Sequence, residues 1–206
     1  CCCGIFNNNS SPNIENSLFI ANEAGGGGGI GNFVNSSPII LNSKFIKNIA
    51  YNEGAGIYNN YSSPIIKNCI FSENYAKNSN GGGILNNHVI SILIENSVFY
   101  KNIANGSGGA ITNYSANQYC IIINCTFYGN ISLDINGGGG GMYNVYSYPK
   151  VINSIFWGNI ANNNINSPEI YNHNLSFPEV VYSSIKGGYI GEGNIDQDPE
   201  FVNAEN

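Results

Sequence analysis

The sequence predicts an all-β fold, a right-handed single-stranded parallel β-helix (solenoid) of about seven coils of 25–31 residues each. Three observations lead to this prediction. The composition has 26 Gly and only 10% charged residues, and residues that favour helices are scarce. A motif Asn-(Ser/Cys)-x-Phe-x-x-Asn occurs six times, beginning at Asn16, Asn42, Asn68, Asn96, Asn124 and Asn153. Its first Asn recurs after 26, 26, 28, 28 and 29 residues, which is typical of an array of similar units.

The residues before each motif are predicted to form a strand with one inner and one outer side. Two residues before the first Asn, an apolar column reads Ile14, Ile40, Ile66, Ile94, Ile122 and Val151, and we extend it to Val181 in a degenerate last repeat. The next residue varies freely, in the column Glu15, Leu41, Lys67, Glu95, Ile123 and Ile152. Because side chains alternate between the two faces of a strand, the first column is placed inside and the second outside.

The first Asn of the motif is predicted to form a corner, since Asn is the non-glycine residue that best tolerates a left-handed backbone. A small residue and an invariant Phe then face inward on the next strand. The phenylalanines are Phe19, Phe45, Phe71, Phe99, Phe127 and Phe156. The second Asn, Asn22 and its equivalents, is predicted to form a further corner, and a column of small residues that begins with Ala24 follows it.

A Gly-Ile strand completes each coil, and an Asn lies two residues after its first apolar residue. This third set is Asn7, Asn32, Asn59, Asn86, Asn113, Asn144 and Asn172. Stacking the coils pairs each strand with its equivalent one coil later, at a rise of about 4.8 Å. We therefore expect ladders of Phe, of Ile and of hydrogen-bonded Asn amides. Repeat length varies mainly before the Gly-Ile strand, which predicts that insertions and a binding surface lie along that edge.

The coils are predicted to occupy residues 1–181, and residues 182–206 are predicted to close the same domain at its carboxy-terminal end. The chain begins at Cys1, without Met and in the middle of a repeat. We therefore expect a fragment with further coils or a cap upstream, since a bare first coil would expose unpaired strand edges. No apolar run of about 18 residues occurs, so we expect no direct membrane insertion from this stretch.

Net charge restricts the partners that the sequence allows. The chain has a formal net charge of -6 with seven basic residues, none of which is Arg. Binding to nucleic acid requires clustered basic residues that displace counterions from phosphates, so nucleic acid is not expected as a partner. A glycan or a protein of a host or cell surface is the expected partner, and no cofactor is expected.

Two features resemble known families. The run Gly108-Gly109-Ala110-Ile111, together with Phe-x-x-Asn in six repeats, resembles the repeat of polymorphic outer-membrane proteins of the chlamydial type, which are surface-displayed adhesins. The carboxy-terminal third, from Asn153 to Phe201, resembles the closing segment of choice-of-anchor Q proteins. This resemblance implies the pectate-lyase-like superfamily and a bacterial protein that is secreted or held at the cell surface, associated with the outer membrane. It implies no activity, because that fold hosts lyases, hydrolases, adhesins and scaffolds.

Few residues are suited to catalysis or metal binding. A β-helix lyase needs a basic residue beside carboxylates that hold calcium, and a glycosidase needs paired acids on neighbouring coils. Asp196 and Asp198 offer two carboxylates to calcium, but a turn before Pro199 also accounts for them. Lys67 and Glu95 are expected to form an exposed ion pair between neighbouring coils. The sequence therefore assigns no catalytic, cofactor-binding or metal-binding residue.

Histidine and cysteine are expected to be structural or exposed rather than reactive. His88 is predicted to follow Tyr61 in one outer column, and neither it nor His173 has a Cys or acid at ligand spacing. Cys69 and Cys125 share the small inward column two coils apart, about 9–10 Å, which is too far for a disulfide.

Glycine runs and tyrosines leave a binding role open. Gly25 to Gly29 and Gly137 to Gly141 lack the Lys-Ser/Thr of a phosphate-binding loop and are predicted to be flexible entries into the Gly-Ile strand. Outward tyrosines would be suited to contact sugar rings. The residues predicted to point outward are Tyr58, Tyr61, Tyr75, Tyr143 and Tyr146.

The favoured interpretation is a non-catalytic extracellular or cell-surface module for display or adhesion. One alternative is a carbohydrate-active β-helix, of the polysaccharide lyase or glycosidase type, whose catalytic coils lie outside this stretch. Another is a glycan-binding module, which requires outward Tyr side chains on neighbouring coils beside the insertion edge.

Overall fold

The computed structural model describes residues 3–162 and 168–202. Within these residues all regular structure is β-strand, arranged in four parallel sheets, three of seven strands and one of six. The seven strands of the first sheet mark seven rungs, one per coil, and six complete turns lie between them. The coils range from 25 residues, between Ile5 and Ile30, to 31 residues, between Ile111 and Met142. The predicted all-β parallel solenoid is therefore confirmed.

Each coil passes through sheets A, B, C and D in that order. Sheet A contains the Gly-Ile strands Ile5–Asn8, Ile30–Phe33, Ile57–Asn60, Ile84–Asn87, Ile111–Tyr114, Met142–Val145 and Ile170–His173. Sheet B contains Asn13–Glu15, Ile39–Leu41, Ile65–Lys67, Ile92–Glu95, Cys120–Ile123, Lys150–Ile152 and Glu179–Val181. Sheet C contains Leu18–Ile20, Lys44–Ile46, Ile70–Ser72, Val98–Tyr100, Thr126–Tyr128, Ile155–Trp157 and Ser184–Ile185. Sheet D contains Glu23–Gly26, Ile49–Glu53, Tyr75–Ala76, Ile103–Ala104, Ile131–Ser132 and Ile160–Ala161.

The interior is a ladder of like residues, as predicted. The six motif phenylalanines stack face to face, with ring centroids 4.2–4.8 Å apart and planes within 8° of parallel. The apolar column of sheet B is buried from Ile14 to Val151. Its last member was predicted wrongly, because Val151 pairs with Val180 and not with Val181. Tyr182 takes the place of the corner Asn in this coil, so the buried residue lies one position earlier than we expected.

A buried asparagine ladder runs along sheet A. Each Asn Nδ2 donates to the Oδ1 of its equivalent one rung later at 2.7–2.9 Å, from Asn7 to Asn172. The ladder ends where Asn172 donates to the Tyr189 hydroxyl at 2.7 Å. Because a buried amide costs free energy unless it is hydrogen-bonded, this continuous chain holds every coil in one register.

A second ladder corrects one prediction. Asn22 and its equivalents do not form the corner between sheets C and D. The left-handed residue is the preceding one, in the column Ala21, Lys47, Glu73, Lys101, Gly129 and Gly158. Within the ladder, Asn74 is fully buried and donates to Asn102 Oδ1 at 2.8 Å and to the Phe45 carbonyl at 2.9 Å. Asn therefore recurs at this position because its side-chain amide forms hydrogen bonds, and not because of its backbone conformation.

The first Asn of each motif does form the corner between sheets B and C, as predicted. Its φ lies between 47° and 55° in all six copies. These amides are exposed, and some of them also bond along the axis, as from Asn153 to Asn124 at 2.7 Å.

The glycine runs are packed segments and not flexible entries. Gly27 and Gly139 have φ of 64° and 71°, which favours glycine. A Cβ on Gly29 would lie 2.6 Å from the Gly56 carbonyl and 2.7 Å from the Phe45 ring. Little room for a side chain is therefore left beside the Phe stack at this position, and most other coils have Gly or Ala there.

The carboxy-terminal residues fold back on the last coils. Ser184–Ile185 still belongs to sheet C, and Ile185 donates its amide to the Ile195 carbonyl at 2.9 Å. Tyr189 packs against the core, and Phe201 contacts the Tyr128 ring edge to face, with centroids 5.2 Å apart. This segment thus covers the end of the interior and part of the outer face of sheet C.

Candidate functional site

Several charged side chains of the coils form ion pairs. Lys67 and Glu95 lie 2.8 Å apart on neighbouring rungs, which confirms the predicted pair. Similar pairs join Lys47 to Glu73 at 3.5 Å, Lys77 to Glu23 at 3.7 Å and Lys150 to Glu179 at 2.9 Å. All are partly exposed, so each contributes roughly 0–1 kcal/mol to stability.

Asp196 and Asp198 serve as turn residues. Asp196 Oδ1 accepts the Gly187 amide at 3.1 Å, and Asp198 Oδ1 accepts the Glu200 amide at 2.9 Å. Across residues 3–162 and 168–202, no group of three His, Cys, Asp or Glu residues is placed to hold a metal ion. His88 follows Tyr61 as predicted, and the two rings stack with centroids 4.9 Å apart.

The described cysteines are free thiols, and three of them are buried: Cys69, Cys120 and Cys125. Burial raises the pKa of Cys69 to about 11 and that of Cys125 to about 12. Cys69 Sγ contacts the Lys67 carbonyl at 3.2 Å, the same contact that the Ser hydroxyls make at this position in other coils. These thiols therefore stay protonated and act as small core residues. Cys1 and Cys2 lie outside the described residues.

Two of the predicted outward tyrosines are buried. Tyr58 is 6% exposed and Tyr143 is 8% exposed, whereas Tyr61 and Tyr146 lie on the surface and Tyr75 is half-buried. The connection from sheet D to sheet A folds back over the outer face of sheet A, and a Cβ on Gly26 would lie 3.4 Å from the Tyr58 ring. An outward position on a strand is therefore not an exposed one where a loop covers the sheet.

A groove with an apolar floor follows the corner between sheets C and D. We call it the axial groove. Its volume is about 640 Å³, and its floor is the outward column of sheet D, consisting of Ile49, Tyr75, Ile103, Ile131 and Ile160. Lys47, Glu73 and Lys101 line one side at the amino-terminal end. At the other end of the groove, the same corner position holds Gly129 and Gly158. The groove is wider there because glycine has no side chain.

A ridge of exposed rings and aliphatic side chains follows the corner between sheets A and B. We call it the aromatic ridge, and its members are between 44% and 69% exposed: Tyr61, Ile90, Tyr119, Tyr146, Tyr148 and Phe177. Tyr148 and Phe177 occupy the outward position that Ser11, Ser37 and Ser63 fill in the first three coils. In the fourth coil Ser91 takes this position, and Ile90 is an added residue beside it. Tyr119 lies in a longer connection, a second place of length variation that sequence analysis did not assign.

Charge is absent from this ridge. The five corner segments that carry it contain no Lys, Asp or Glu, namely residues 61–64, 88–91, 115–119, 146–149 and 174–178. The ion pairs lie on the sides of the coil that sheets B, C and D form. Contiguous exposed apolar side chains on a soluble protein are typical of interaction surfaces.

One buried carboxyl was missed by sequence reasoning. Glu169 is 2% exposed and its Oε2 accepts the Asn159 side-chain amide, so it ends the second asparagine ladder. Its Oε1 is buried and has no hydrogen-bond partner. Burial raises the pKa of Glu169 to about 7, although the Asn159 hydrogen bonds and the Lys186 charge oppose the shift. Its position in the sequence could have identified it. In other coils a small residue precedes the equivalent apolar residue, namely Gly29, Gly56, Gly83, Ala110 and Gly141.

Comparison with known proteins adds no assignment. No protein-family model, no curated protein and no solved structure matches this chain. No helix among the described residues is long and apolar enough to cross a membrane. A functional proposal therefore depends on the geometry of the solenoid itself.

Proposed function

We propose that this domain is a non-catalytic extracellular or cell-surface β-solenoid that acts in display or adhesion. The observation that supports the proposal is the unbroken interior. The asparagine ladder of sheet A connects all seven rungs, and six phenylalanines stack beside it. At about 4.8 Å per rung, this interior makes a rod of about 30 Å that presents outer columns at fixed spacing.

The placement of titratable groups also supports a non-catalytic role. The axial groove has a volume of about 640 Å³, and its floor consists of Ile and Tyr side chains. The strongly raised pKa values belong to buried groups, such as Tyr58 beneath its loop and Glu169 at the end of a ladder. Catalytic acids and bases need tuned groups that reach a substrate in a cleft.

Binding of the purified 206-residue chain to a broad glycan array and to intact cells tests the proposal. We expect binding to cells or to glycans without cleavage of any glycan that is bound, and without dependence on added calcium. Cleavage of a bound glycan would contradict the proposal and favour the carbohydrate-active alternative. Failure to bind cells, glycans and cell-surface proteins alike would contradict adhesion.

A further inference from the structure

A cleft lies between the outer face of sheet C and the carboxy-terminal segment that folds back on it. We call it the aromatic cleft. Its volume is about 260 Å³, and it is lined by Tyr128, Trp157, Asp198, Glu200 and Phe201. Tyr128 and Trp157 are equivalent residues on neighbouring rungs of sheet C, and the other three belong to the carboxy-terminal segment. The lining therefore combines three aromatic rings with two carboxylates.

The rings of the cleft form walls at different angles. Phe201 packs edge to face against Tyr128, with centroids 5.2 Å apart and planes at 75°. Tyr128, Trp157 and Phe201 are all half-buried, so each keeps part of its ring surface open. Aromatic rings that surround a compact group in this way are typical of the cages that bind quaternary ammonium ions.

A turn holds the two carboxylates together at the rim of the cleft. Asp198 Oδ1 accepts the Glu200 amide at 2.9 Å across Pro199, whose ring fixes its own φ. Both carboxylates are exposed, and the lining of the cleft includes no basic residue. None of the ion pairs of residues 3–162 and 168–202 involves Asp198 or Glu200. The cleft thus has negative charge that no lysine of the described chain neutralises by direct pairing.

The next rung shows that the Trp157 ring accepts a cation. Lys186 follows Ile185 as Trp157 follows Phe156, and the Lys186 Nζ lies 5.9 Å from the centre of the Trp157 ring. Lys186 therefore comes from the rung after Trp157, whereas Tyr128 belongs to the rung before it. Because Lys186 does not line the cleft, its ammonium group leaves the space between Trp157 and Tyr128 open.

We propose that the aromatic cleft binds a quaternary ammonium group of the choline type. The ring faces attract the positive charge through their quadrupoles, the methyl groups pack on the rings, and Asp198 and Glu200 supply the opposite charge. The volume lies below the roughly 300–1,000 Å³ of sites for drug-sized ligands, which suits a small head group. This inference does not depend on the proposed role in display or adhesion.

A metal ion fits the cleft less well than an organic cation. Calcium takes about six to eight oxygen ligands, and the cleft offers two carboxylates beside three hydrocarbon rings. Across the described residues no third His, Cys, Asp or Glu completes a metal site with these two. The net charge of -6 also favours a cation over an anion as the ligand.

Fluorescence of Trp157 tests the proposal directly, because it is the only Trp among the 206 residues. The full chain is titrated with choline chloride at constant ionic strength. The control ligand is the neutral alcohol in which carbon replaces the nitrogen of choline, since it has the same shape without the charge. We expect a saturable change of emission with a Kd of about 1 mM or lower for choline, and binding at least about tenfold weaker for the alcohol.

Two variants separate the cleft from the general charge of the carboxy-terminal segment. Glu200→Gln removes a carboxylate that lines the cleft, whereas the control Asp196→Asn removes one that accepts the Gly187 amide outside it. We expect Glu200→Gln to weaken choline binding at least about threefold and Asp196→Asn to leave it unchanged. Circular dichroism and thermal unfolding establish that both variants fold.

Sedimentation with phosphatidylcholine vesicles distinguishes two sources of the same head group. Pelleting of the chain that free choline reverses would support the cleft as a site for a lipid head group. Binding of free choline without pelleting would support it as a site for a soluble ammonium compound.

Three outcomes would overturn the proposal. The first is the absence of a saturable change in Trp157 emission with choline. The second is equal affinity for the neutral alcohol or for glucose, which would assign the cleft to apolar groups or to sugars. The third is equal weakening by Glu200→Gln and Asp196→Asn, which would reduce the effect to net charge.

Discussion

Replacing Glu169 by Gln should remove a pH dependence from the stability of the solenoid. Burial raises the pKa of this carboxyl from 4.5 to about 7. The folded state therefore binds the proton more tightly than the unfolded state between these two values. Stability contributed by the neutral carboxyl is fully present below about pH 4.5 and is lost as the pH rises through about 7.

The size of the effect follows from the shift. One pKa unit corresponds to about 1.4 kcal/mol, so ionisation of Glu169 costs about 3 kcal/mol at pH values above the folded pKa. Gln has nearly the same shape, and its Oε1 can still accept the Asn159 amides. We expect Glu169→Gln to match the wild-type chain near pH 4.5 and to exceed its stability by up to about 3 kcal/mol at pH 8.

Urea unfolding followed by circular dichroism measures this difference at a series of pH values. The matched control is Glu179→Gln, which neutralises an exposed carboxylate that pairs with Lys150. The control should keep the pH dependence of the wild-type chain, because it leaves the buried Glu169 carboxyl unchanged. Identical pH dependence in the wild-type chain and in Glu169→Gln would refute the reasoning.

Three further predictions concern the interior. Asn74→Ala removes side-chain hydrogen bonds at the centre of a buried ladder, and urea unfolding should show a loss of about 3 kcal/mol or more in stability. The control Asn68→Gly removes an exposed amide but keeps the left-handed corner, and it should cost less than about 1 kcal/mol. Phe99→Ala, in the middle of the stack, should cost about 3–5 kcal/mol; a loss under about 1 kcal/mol would contradict a close-packed ladder. The thiols of Cys69 and Cys125 should resist alkylation at about pH 8 until the chain unfolds, because burial keeps them protonated; peptide mass spectrometry measures the labelling.

The interior could be predicted from sequence because each inward position is repeated six or seven times. One Phe is uninformative, but six at nearly constant spacing fix both the period and the inner face. The error at Val181 arose where the repeat ends, since Tyr182 replaces the Asn that had served as reference. The error at Asn22 arose because two physical causes favour the same residue. Asn tolerates a left-handed corner, but it also makes amide ladders, and here the buried hydrogen bonds decide.

The outer surface could be predicted only in part. The ion pair between Lys67 and Glu95 depends on strand register alone, and the spacing already gave that register. The burial of Tyr58 depends on the path of a loop, and no repeated position specifies that path. The axial groove requires knowledge of which corner residues lack side chains, such as Gly129, and that column was assigned to the wrong residue.

Departures from the repeat point to function more directly than the repeat itself. An inner position repeats because one side chain satisfies the stacking in every coil, so a break there, such as Glu169 in a column of Gly and Ala, marks an end of the structure. An outer position requires only a side chain that is compatible with water, and Ser11, Ser37 and Ser63 are such residues. Tyr148 and Phe177 stand in place of this Ser in later coils, and they expose apolar surface that folding does not require. The last coils carry these replacements along one uncharged corner, and we therefore propose this corner as a contact surface for another molecule.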